Sequence, residues 1–342
     1  MPTYSNRTQV PLSVAVYLAL DQYDYVPGAI SATSLIKSVR QQVLSYRVPK
    51  TEQVTEVIDV VKSRIGTSIH DGLERAWSKD NYPKTMLALG YPQSVIDRIV
   101  VNPGYVMDLM SGQLVVDPKA EPMAADAIPV YMEIRSFREI DGKTVSGKFD
   151  FLAEGRLEDY KSTSTFTWTN QTKTRDYQLQ GSIYRWLNED KVTQDYIAIQ
   201  FFFTDWAKGK SMGDSKYPQR QVEQQLIPLL SLSDTEDYIR AKLAQHAKYQ
   251  SSDETDIPPC TDHELWRKAP VYKYYKNPKG TMNRSTKNFT NAAEAYARLV
   301  EDNNVGIVKE VPGSVMACNY CNAFSVCTQK DQLLADGSLT LM

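Results

Sequence analysis

Apolar residues recur at helical spacing in several stretches of the chain. Between residues 51 and 77, hydrophobic side chains follow one another at steps of three and four, from Val54 through Ile65 to Trp77. Positions spaced in this way lie on one helical face, so the pattern predicts a long amphipathic helix. Similar spacing predicts further helices at residues 83–101 (beginning near Pro92), 175–187, 233–249 and 291–302.

Other stretches have the composition of strands. Residues 130–160 are interrupted by two turn signals, Asp141-Gly142 and Glu154-Gly155, which predicts consecutive antiparallel strands. Residues 196–203 read YIAIQFFF, and this unbroken β-branched and aromatic run predicts a buried strand. Residues 107–126 are predicted as a loop or weak hairpin. The order helix, hairpin, helix, strand predicts a mixed α/β core.

The length of 342 residues allows one large α/β domain or two smaller ones, and no internal repeat divides the chain. We predict an N-terminal extension at residues 1–50 that packs on the core, a core at residues 51–250, and a loop-rich C-terminal region at residues 251–342. A net charge of −2 argues against a histone-like or coating protein. It leaves room for a nucleic-acid enzyme, because such enzymes confine positive charge to a groove.

No stretch of the sequence predicts a membrane segment. No apolar run approaches the roughly 20 residues that a span needs. The apolar patch at residues 12–20 lacks a basic leader and is followed at once by acidic residues, which favours a first helix or strand over a signal peptide. We therefore expect a cytoplasmic protein (in the host cytoplasm if it is phage-encoded) with no membrane partner.

The hairpin at residues 146–165 carries the most informative chemistry. With Glu154-Gly155 as its loop, Asp150 lies opposite Asp159, and Lys161 follows two residues later. Opposed carboxylates repel one another unless a cation lies between them, and Mg²⁺ or Mn²⁺ prefers such oxygen ligands. A nearby lysine orients or helps to deprotonate a water, or stabilises charge on a phosphate. The alternative is an ordinary solvated hairpin face with scattered charges.

Three other features lie near this hairpin in the predicted order. His70 and Glu74 are four residues apart on the first helix, so they share a face, and a neutral histidine is a metal ligand. Gln180 and Tyr184 likewise share one face of the following helix. Glu133 precedes the hairpin and is an additional candidate metal ligand. Each feature alone is common, and a lone helical histidine is most often structural.

Taken together, order and spacing resemble the RecB-type branch of the PD-(D/E)XK nuclease superfamily over residues 51–203. The resemblance implies a restriction-endonuclease-like core, a mixed sheet flanked by helices, that hydrolyses DNA with Mg²⁺ or Mn²⁺. It implies that His70, Asp150 and Asp159 bind the metal, that Lys161 is catalytic, and that Gln180 and Tyr184 position the active-site groups or the nucleic acid. The departures are Phe149 in place of proline and the aspartate option at Asp159. The matching segments are Gly66–Glu74, Glu133, Gly147–Asp150, Asp159-Tyr160-Lys161-Ser162 and Gln180–Tyr184.

All the cysteines of the chain lie in its last third, as Cys260 and the C-x2-C-x5-C group Cys318, Cys321 and Cys327. Four thiolates suit one closed site for Zn²⁺ or a [4Fe–4S] cluster. The alternatives without a metal are disulfides or four unrelated buried thiols. The resemblance favours iron–sulfur, because AddB and CRISPR-associated exonuclease members carry a similar staple. Their distant cysteine precedes the core, whereas Cys260 follows it, so this staple is expected to close only the C-terminal segment.

The segment at residues 267–287 contains seven basic residues and no acidic one. Cations for phosphates and tyrosines for base stacking suit single-stranded DNA, whereas a solvated loop over packed tyrosines is the alternative. A weaker basic patch lies at residues 208–220. The candidate DNA-binding residues are Tyr272, Lys273, Tyr274, Tyr275, Lys276 and Arg284.

The sequence therefore predicts a Mg²⁺- or Mn²⁺-dependent deoxyribonuclease, with an exonuclease acting on DNA ends or single strands as the leading hypothesis. A phage or mobile-element role in recombination or DNA processing, with a phage or host recombination protein as partner, follows from the resemblance only. The alternatives are a structure-specific endonuclease and a non-catalytic DNA-binding subunit with a relic site. Cleavage polarity, DNA against RNA, and oligomeric state are not determined by the sequence.

Overall fold

The computed structural model describes residues 3–20, 26–49, 54–108, 113–277 and 284–341. The strands in these ranges are β1 (Thr3–Ser5), β2 (Ala29–Ser31), β3 (Val54–Glu56), β4 (Ile99–Val101), β5 (Tyr105–Met107), β6 (Leu114–Val116), β7 (Ile128–Ile140), β8 (Lys143–Ala153), β9 (Arg156–Thr163), β10 (Tyr196–Phe203), β11 (Val222–Pro228), β12 (Val271–Tyr275), β13 (Lys287–Phe289) and β14 (Ile307–Val311). The α-helices are α1 (Leu12–Ala19), α2 (Ala32–Ile36), α3 (Val39–Ser45), α4 (Val61–Ala76), α5 (Tyr82–Ala88), α6 (Gln93–Ile96), α7 (Thr165–Asn170), α8 (Thr174–Leu187), α9 (Lys208–Ser211), α10 (Leu232–Tyr249), α11 (Ala292–Glu301) and α12 (Gln329–Ala335).

A mixed sheet of seven strands forms the larger part of the fold, in the order β11-β10-β9-β8-β7-β4, with β2 paired to β8. The β7–β8 and β8–β9 pairs are antiparallel, whereas β9–β10, β4–β7 and β2–β8 are parallel. Helix α8 packs against β8 and β10, and helix α4 packs against β9. The expectation of a mixed α/β architecture is therefore confirmed.

Strand β8 has two partners on the edge that faces β9. Its early residues pair with β2 at Thr144 to Ser146, and its last residues pair with β9 at Phe151 to Ala153. The register predicted for the hairpin is confirmed for these last three residues, which pair with Arg156, Leu157 and Glu158. Asp150 lies between the two paired stretches of β8, at the point where β9 leaves it.

The helix predicted at residues 51–77 is shorter than expected. Residues 54–56 form β3, which pairs with β1, and a 3-10 turn at Val57–Val60 precedes α4; residues 51–53 lie outside the described ranges. A strand partner distant in sequence thus overrides the local helical pattern. The helix predicted at residues 83–101 is divided into α5, α6 and β4, because Gly90 has a positive φ of 89° and β4 pairs with β7.

The main core lies between the sheet and α8. Phe149, Ile183 and Trp186 are among the largest buried side chains there. Gly147 allows this close approach, because a Cβ atom at this position would lie 2.7 Å from Leu187 and 2.9 Å from Tyr184. The glycine therefore fixes how near the polar residues of α8 come to β8.

The chain divides into two compact units. The first contains the described residues within Met1–Ile36 and Val54–Leu243, and the second contains those within Lys37–Gln53 and Ala244–Met342. The division differs from the predicted one in that α3 belongs to the second unit rather than to an extension on the core. The second unit also contains the antiparallel sheet β13-β12-β14 and helix α11. Within the described ranges, no helix is both long and apolar enough to cross a membrane.

Candidate active site

Three metal-ligating side chains from different elements of the first unit converge on one point. His70 lies on α4, Glu133 on β7 and Asp150 on β8. The His70 Nδ1 atom is 3.5 Å from Glu133 Oε1 and 3.6 Å from Asp150 Oδ1, and one ligand atom from each residue lies within 4.8 Å of the others. The other ring nitrogen of His70 is 3.2 Å from the Tyr160 carbonyl oxygen, which fixes the orientation of the imidazole.

The sheet is irregular at this point. Glu133 has a φ of 53°, in the left-handed region that L-residues rarely adopt. In the β7–β8 ladder, Met132 and Ile134 each have a partner on β8, but Glu133 between them has none. Met132 and Ile134 are both buried, but in different core clusters, so the alternation of faces breaks at Glu133. Such backbone strain is often retained at functional sites.

The predicted pairing of Asp150 with Asp159 is not part of the β8–β9 ladder, which ends at Phe151 and Glu158. Instead, the Tyr160 N–H donates a hydrogen bond of 2.8 Å to Asp150 Oδ2. The physical reason is that two opposed carboxylates repel, whereas a backbone N–H stabilises the charge of one of them. The strands separate there, and the carboxylate of Asp150 occupies the gap.

The remaining predicted catalytic residues form a second group joined by hydrogen bonds. Asp159 is fully buried, and its two oxygens lie 2.9 Å from Gln180 Nε2 and 2.6 Å from Lys161 Nζ. Gln180 also donates to the Tyr184 hydroxyl at 2.9 Å. Asp159, which was expected to bind the metal directly, therefore lies outside the three-ligand group, and Glu133 lies within it.

Burial and charge shift the pKa values of these groups strongly. Burial, with the nearby charge of Asp159, raises the pKa of Asp150 to about 7. Burial opposes protonation of His70, but its hydrogen bond to Glu133 and the charge of Asp150 outweigh that effect and raise its pKa to about 9. The pKa of Lys161 is also raised, because the charges of Asp159 and Asp150 outweigh the opposing effect of burial. Lys161 is thus a cation at neutral pH.

The residues present fit a divalent cation. One imidazole nitrogen and two carboxylate oxygens form a donor set suited to Mn²⁺ or Mg²⁺. Neighbouring ligands of a six-coordinate ion with bonds of about 2.1 Å are about 3 Å apart, close to the spacing of His70 from its two carboxylate neighbours. A cation there would also stabilise the ionised form of Asp150, whose pKa is raised by burial and by the nearby charges of Asp159 and Glu133.

The group opens into a cavity of about 610 Å³. His70, Glu133, Asp150 and Tyr184 line it, together with residues that the sequence patterns did not single out. Among these are two cations, Arg135 and Lys148. Glu74, which shares a helical face with His70, also lines the cavity, and its pKa is raised by burial and by the charge of Glu133. Lys148 Nζ lies 2.7 Å from Glu133 Oε2. The two cations lie two residues from Glu133 and Asp150 along their strands. This spacing, together with the β7–β8 register, would have predicted that they lie near the ligand group.

The shifted pKa values predict how metal-free stability depends on pH. The stabilisation from protonated His70 is present below its ordinary pKa of 6.5 and is lost as the pH rises through about 9. Protonated Asp150 also favours the fold, since its pKa is raised from 3.8, and this contribution is lost as the pH rises through about 7. We expect the melting temperature in EDTA to fall between pH 6 and pH 9 by a few degrees, and added Mn²⁺ to restore it more at pH 9. An increment from Mn²⁺ that shrinks as the pH rises would contradict the assignment.

In the second unit, the four cysteines are half-buried free thiols. Cys260 and Cys318 pack on one apolar cluster, and Cys321 and Cys327 pack on another. No three of these sulfur atoms lie within 4.8 Å of one another among the described residues.

Polar groups of this unit contact the sulfur atoms. The Ser38 hydroxyl is 3.2 Å from Cys260 Sγ, and Arg40 Nε donates to Cys327 Sγ at 3.2 Å. Burial raises the pKa of Cys260 and of Cys318 to about 11. These two thiols are therefore neutral at pH 7 without a metal. The donors near Cys260 and Cys327 are of the kind that stabilise thiolate ligands.

The predicted DNA-binding residues differ in how exposed their side chains are. Tyr274 and Tyr275 are buried, and the Tyr274 hydroxyl donates to Asp302 at 2.7 Å. This corrects their assignment as base-stacking platforms, because both rings are packed inside the unit. Tyr272 and Lys273 are half-buried, and Lys276 and Arg284 are exposed; residues 278–283 of the predicted basic segment lie outside the described ranges.

Two solved structures show remote likenesses to this chain. No protein-family model matches the chain, and no curated protein matches it. Among solved structures, SSO0001 gives a TM-score of 0.38 at 12% identity, covering 74% of this chain and 98% of that chain. A phage-related exonuclease from Haemophilus somnus 129PT gives a TM-score of 0.25 at 14% identity, covering 38% of this chain and 63% of that chain. Both scores lie below 0.5, so neither likeness carries a statement about this chain.

Proposed function

We propose that the chain is a metal-dependent DNA nuclease of the PD-(D/E)XK type, acting as an exonuclease on DNA ends or single strands. The observation that carries the proposal is the convergence of His70, Glu133 and Asp150 beside the hydrogen-bonded group of Asp159 and Lys161. Two carboxylates and a histidine, with a permanently charged lysine close by, form the set of groups that metal-assisted phosphodiester hydrolysis requires.

In this proposal each residue has one role. His70, Glu133 and Asp150 would hold Mg²⁺ or Mn²⁺, which when bound polarises a phosphate oxygen and lowers the pKa of water. Lys161 remains protonated and donates to the negative charge that develops on the scissile phosphate. Its raised pKa argues against a role in removing a proton from water.

Asp159, Gln180 and Tyr184 position this lysine. Asp159 holds the ammonium group at 2.6 Å, and Gln180 holds the opposite carboxylate oxygen at 2.9 Å. Because Asp159 is fully buried, the pair keeps one geometry and needs little reorganisation when charge develops on the substrate. The hydroxyl of Tyr184 closes the chain of hydrogen bonds at the cavity wall.

Digestion of end-labelled linear DNA and closed circular DNA tests the proposed activity. We expect mononucleotide or short products from linear single- or double-stranded DNA with Mg²⁺ or Mn²⁺, none with EDTA, and little loss of the closed circle. Cleavage of the closed circle at a rate comparable to that of linear DNA would show that the protein is an endonuclease rather than an exonuclease. No cleavage of any DNA under all metal conditions would remove the proposed function.

We further propose that Cys260, Cys318, Cys321 and Cys327 bind one [4Fe–4S] cluster. Support comes from four half-buried free thiols in one unit, with polar groups at the sulfur atoms of Cys260 and Cys327. We expect anaerobically purified protein to be brown, to absorb broadly near 400 nm and to contain iron, and we expect Cys321→Ser to remove the colour. One zinc per chain in a colourless protein would change the type of centre, and neither metal would remove the site.

Three cations of the second unit, the half-buried Lys273 and the exposed Lys276 and Arg284, are proposed to bind the DNA backbone. Replacing Lys273, Lys276 and Arg284 by glutamine should lower the salt slope of single-stranded DNA binding by about 0.7 for each phosphate that is no longer neutralised. The matched control replaces Lys208 and Lys210, which belong to the weaker basic patch. An unchanged slope in the triple variant, with a lower slope in the control, would move the DNA path to that patch.

A further inference from the structure

Two cations line the cavity next to the ligand group on the same two strands. Arg135 on β7 and Lys148 on β8 are direct partners in the antiparallel register, and both line the cavity. They lie two residues from Glu133 and from Asp150 respectively. Two acidic residues and two basic residues therefore lie two positions apart on the same two strands.

Cations placed directly opposite one another repel, as carboxylates do. Lys148 is partly compensated by Glu133, at 2.7 Å, but this same carboxylate belongs to the proposed metal ligands. An anion that enters the cavity would reduce the repulsion within the basic pair. Arg135 is well suited to that role because its planar guanidinium binds phosphate oxygens in pairs.

Hydroxyl groups line the cavity on the β2 side. Ser31 and Thr33 line the same cavity, and β2 runs parallel to β8 with Ser31 opposite Ser146. Ser31 Oγ lies 3.1 Å from Thr33 Oγ1. Neutral donors beside two cations are typical of a phosphate site, because they add hydrogen bonds without adding a competing negative charge.

The backbone positions of the two groups are spaced like successive phosphates of a polynucleotide. Two residues along a strand span about 6–7 Å, which is similar to the distance between successive phosphates of an extended nucleic-acid strand, and the side chain of Lys148 bridges this interval to Glu133 at 2.7 Å. A strand with one phosphate at the ligand group would therefore bring a neighbouring phosphate to the basic pair.

We propose that Arg135 and Lys148 form an anion subsite for the phosphate next to the scissile one. The inference rests on the proposed nuclease function and deepens it, since it makes a strand with two successive phosphates the preferred substrate. A substrate with a single phosphate would not engage the basic pair and would be a poor one. Lys148 contacts Glu133, one of the proposed metal ligands, at 2.7 Å. A change at Lys148 would therefore also disturb the ligand group, and the test uses Arg135.

The test uses short oligonucleotides in which one phosphate next to the first cleaved bond is replaced by a neutral methylphosphonate, placed in separate substrates on either side of that bond. The full-length protein is assayed with Mn²⁺. We expect the neutral linkage on one side to slow the wild type by about ten- to a hundredfold, the range for a charged hydrogen bond. Arg135→Gln should be slow on the ordinary oligonucleotide and should lose most of this discrimination.

Two further variants keep the result interpretable. Arg135→Lys retains the charge and should retain part of the discrimination, and Lys143→Gln, an exposed cation on the same β8 strand, should behave as the wild type. Equal discrimination in the wild type and in folded Arg135→Gln, or none in the wild type, would overturn the subsite while leaving the nuclease intact. Absence of cleavage by the wild type on every substrate would instead refute the nuclease function itself.

Discussion

Asp150→Asn is expected to lower the rate of DNA cleavage by at least about a thousandfold, as expected when a charged ligand is removed from a metal site with few protein ligands. The amide keeps the size of the side chain and an oxygen that accepts the Tyr160 N–H, so the local backbone should be preserved. Asp159→Asn should be similarly inactive, because the neutral amide no longer holds the Lys161 ammonium group.

A second readout separates loss of chemistry from loss of folding. Because burial and the charge of Asp159 raise the pKa of Asp150 to about 7, the ionised group opposes the metal-free fold. Asp150→Asn should therefore melt at an equal or higher temperature than the wild type in EDTA at pH 8. Asp141→Asn, in the exposed turn at the far end of β8, is the matched control and should retain full activity. An active Asp150→Asn enzyme would contradict the assignment.

Lys161→Ala is expected to lower the single-turnover rate by about a hundred- to a thousandfold, the usual effect of removing a donor to transition-state charge. The dissociation constant for DNA should change little, because the lysine acts mainly on charge that forms during hydrolysis. The measurement is the cleavage rate at saturating DNA, with binding measured in Ca²⁺ to prevent turnover.

The stability of this variant needs its own control, since Asp159 is fully buried and loses its cationic partner. Lys161→Arg keeps a cation beside Asp159 and should fold, but its larger planar group should leave the rate well below that of the wild type. A Lys161→Ala protein that binds DNA poorly and cleaves it normally at saturation would make Lys161 a phosphate anchor only.

The sequence was most informative where local rules decide the structure. A tight turn at Glu154-Gly155 and strand alternation were enough to predict the pairing of Phe151 with Glu158. The same rules were wrong for the next pair, Asp150 and Asp159, because strand alternation does not include the repulsion that separates two opposed carboxylates. The positive φ of Glu133 could not be predicted either, and this local distortion accompanies the position of Glu133, an additional candidate ligand in the sequence, beside His70.

Long-range contacts account for what the sequence did not predict in the second unit. Helix α3 was assigned to an extension of the core, whereas Ser38 and Arg40, at the beginning of this helix, contact the sulfur atoms of Cys260 and Cys327. These contacts join residues more than two hundred positions apart, and no periodicity reports such a pairing. Helix α3 is therefore part of the cysteine unit, although it precedes the core in the sequence.

The central claim is that His70, Glu133 and Asp150 bind a divalent cation, and calorimetric titration with Mn²⁺ tests it most directly. The wild type and the Asp141→Asn control should each bind Mn²⁺ at this site with release of protons at pH 8, because His70 has a pKa of about 9 in the metal-free protein. The double variant His70→Gln, Asp150→Asn should lose that binding while remaining folded. Unchanged Mn²⁺ affinity and stoichiometry in the double variant would contradict the account.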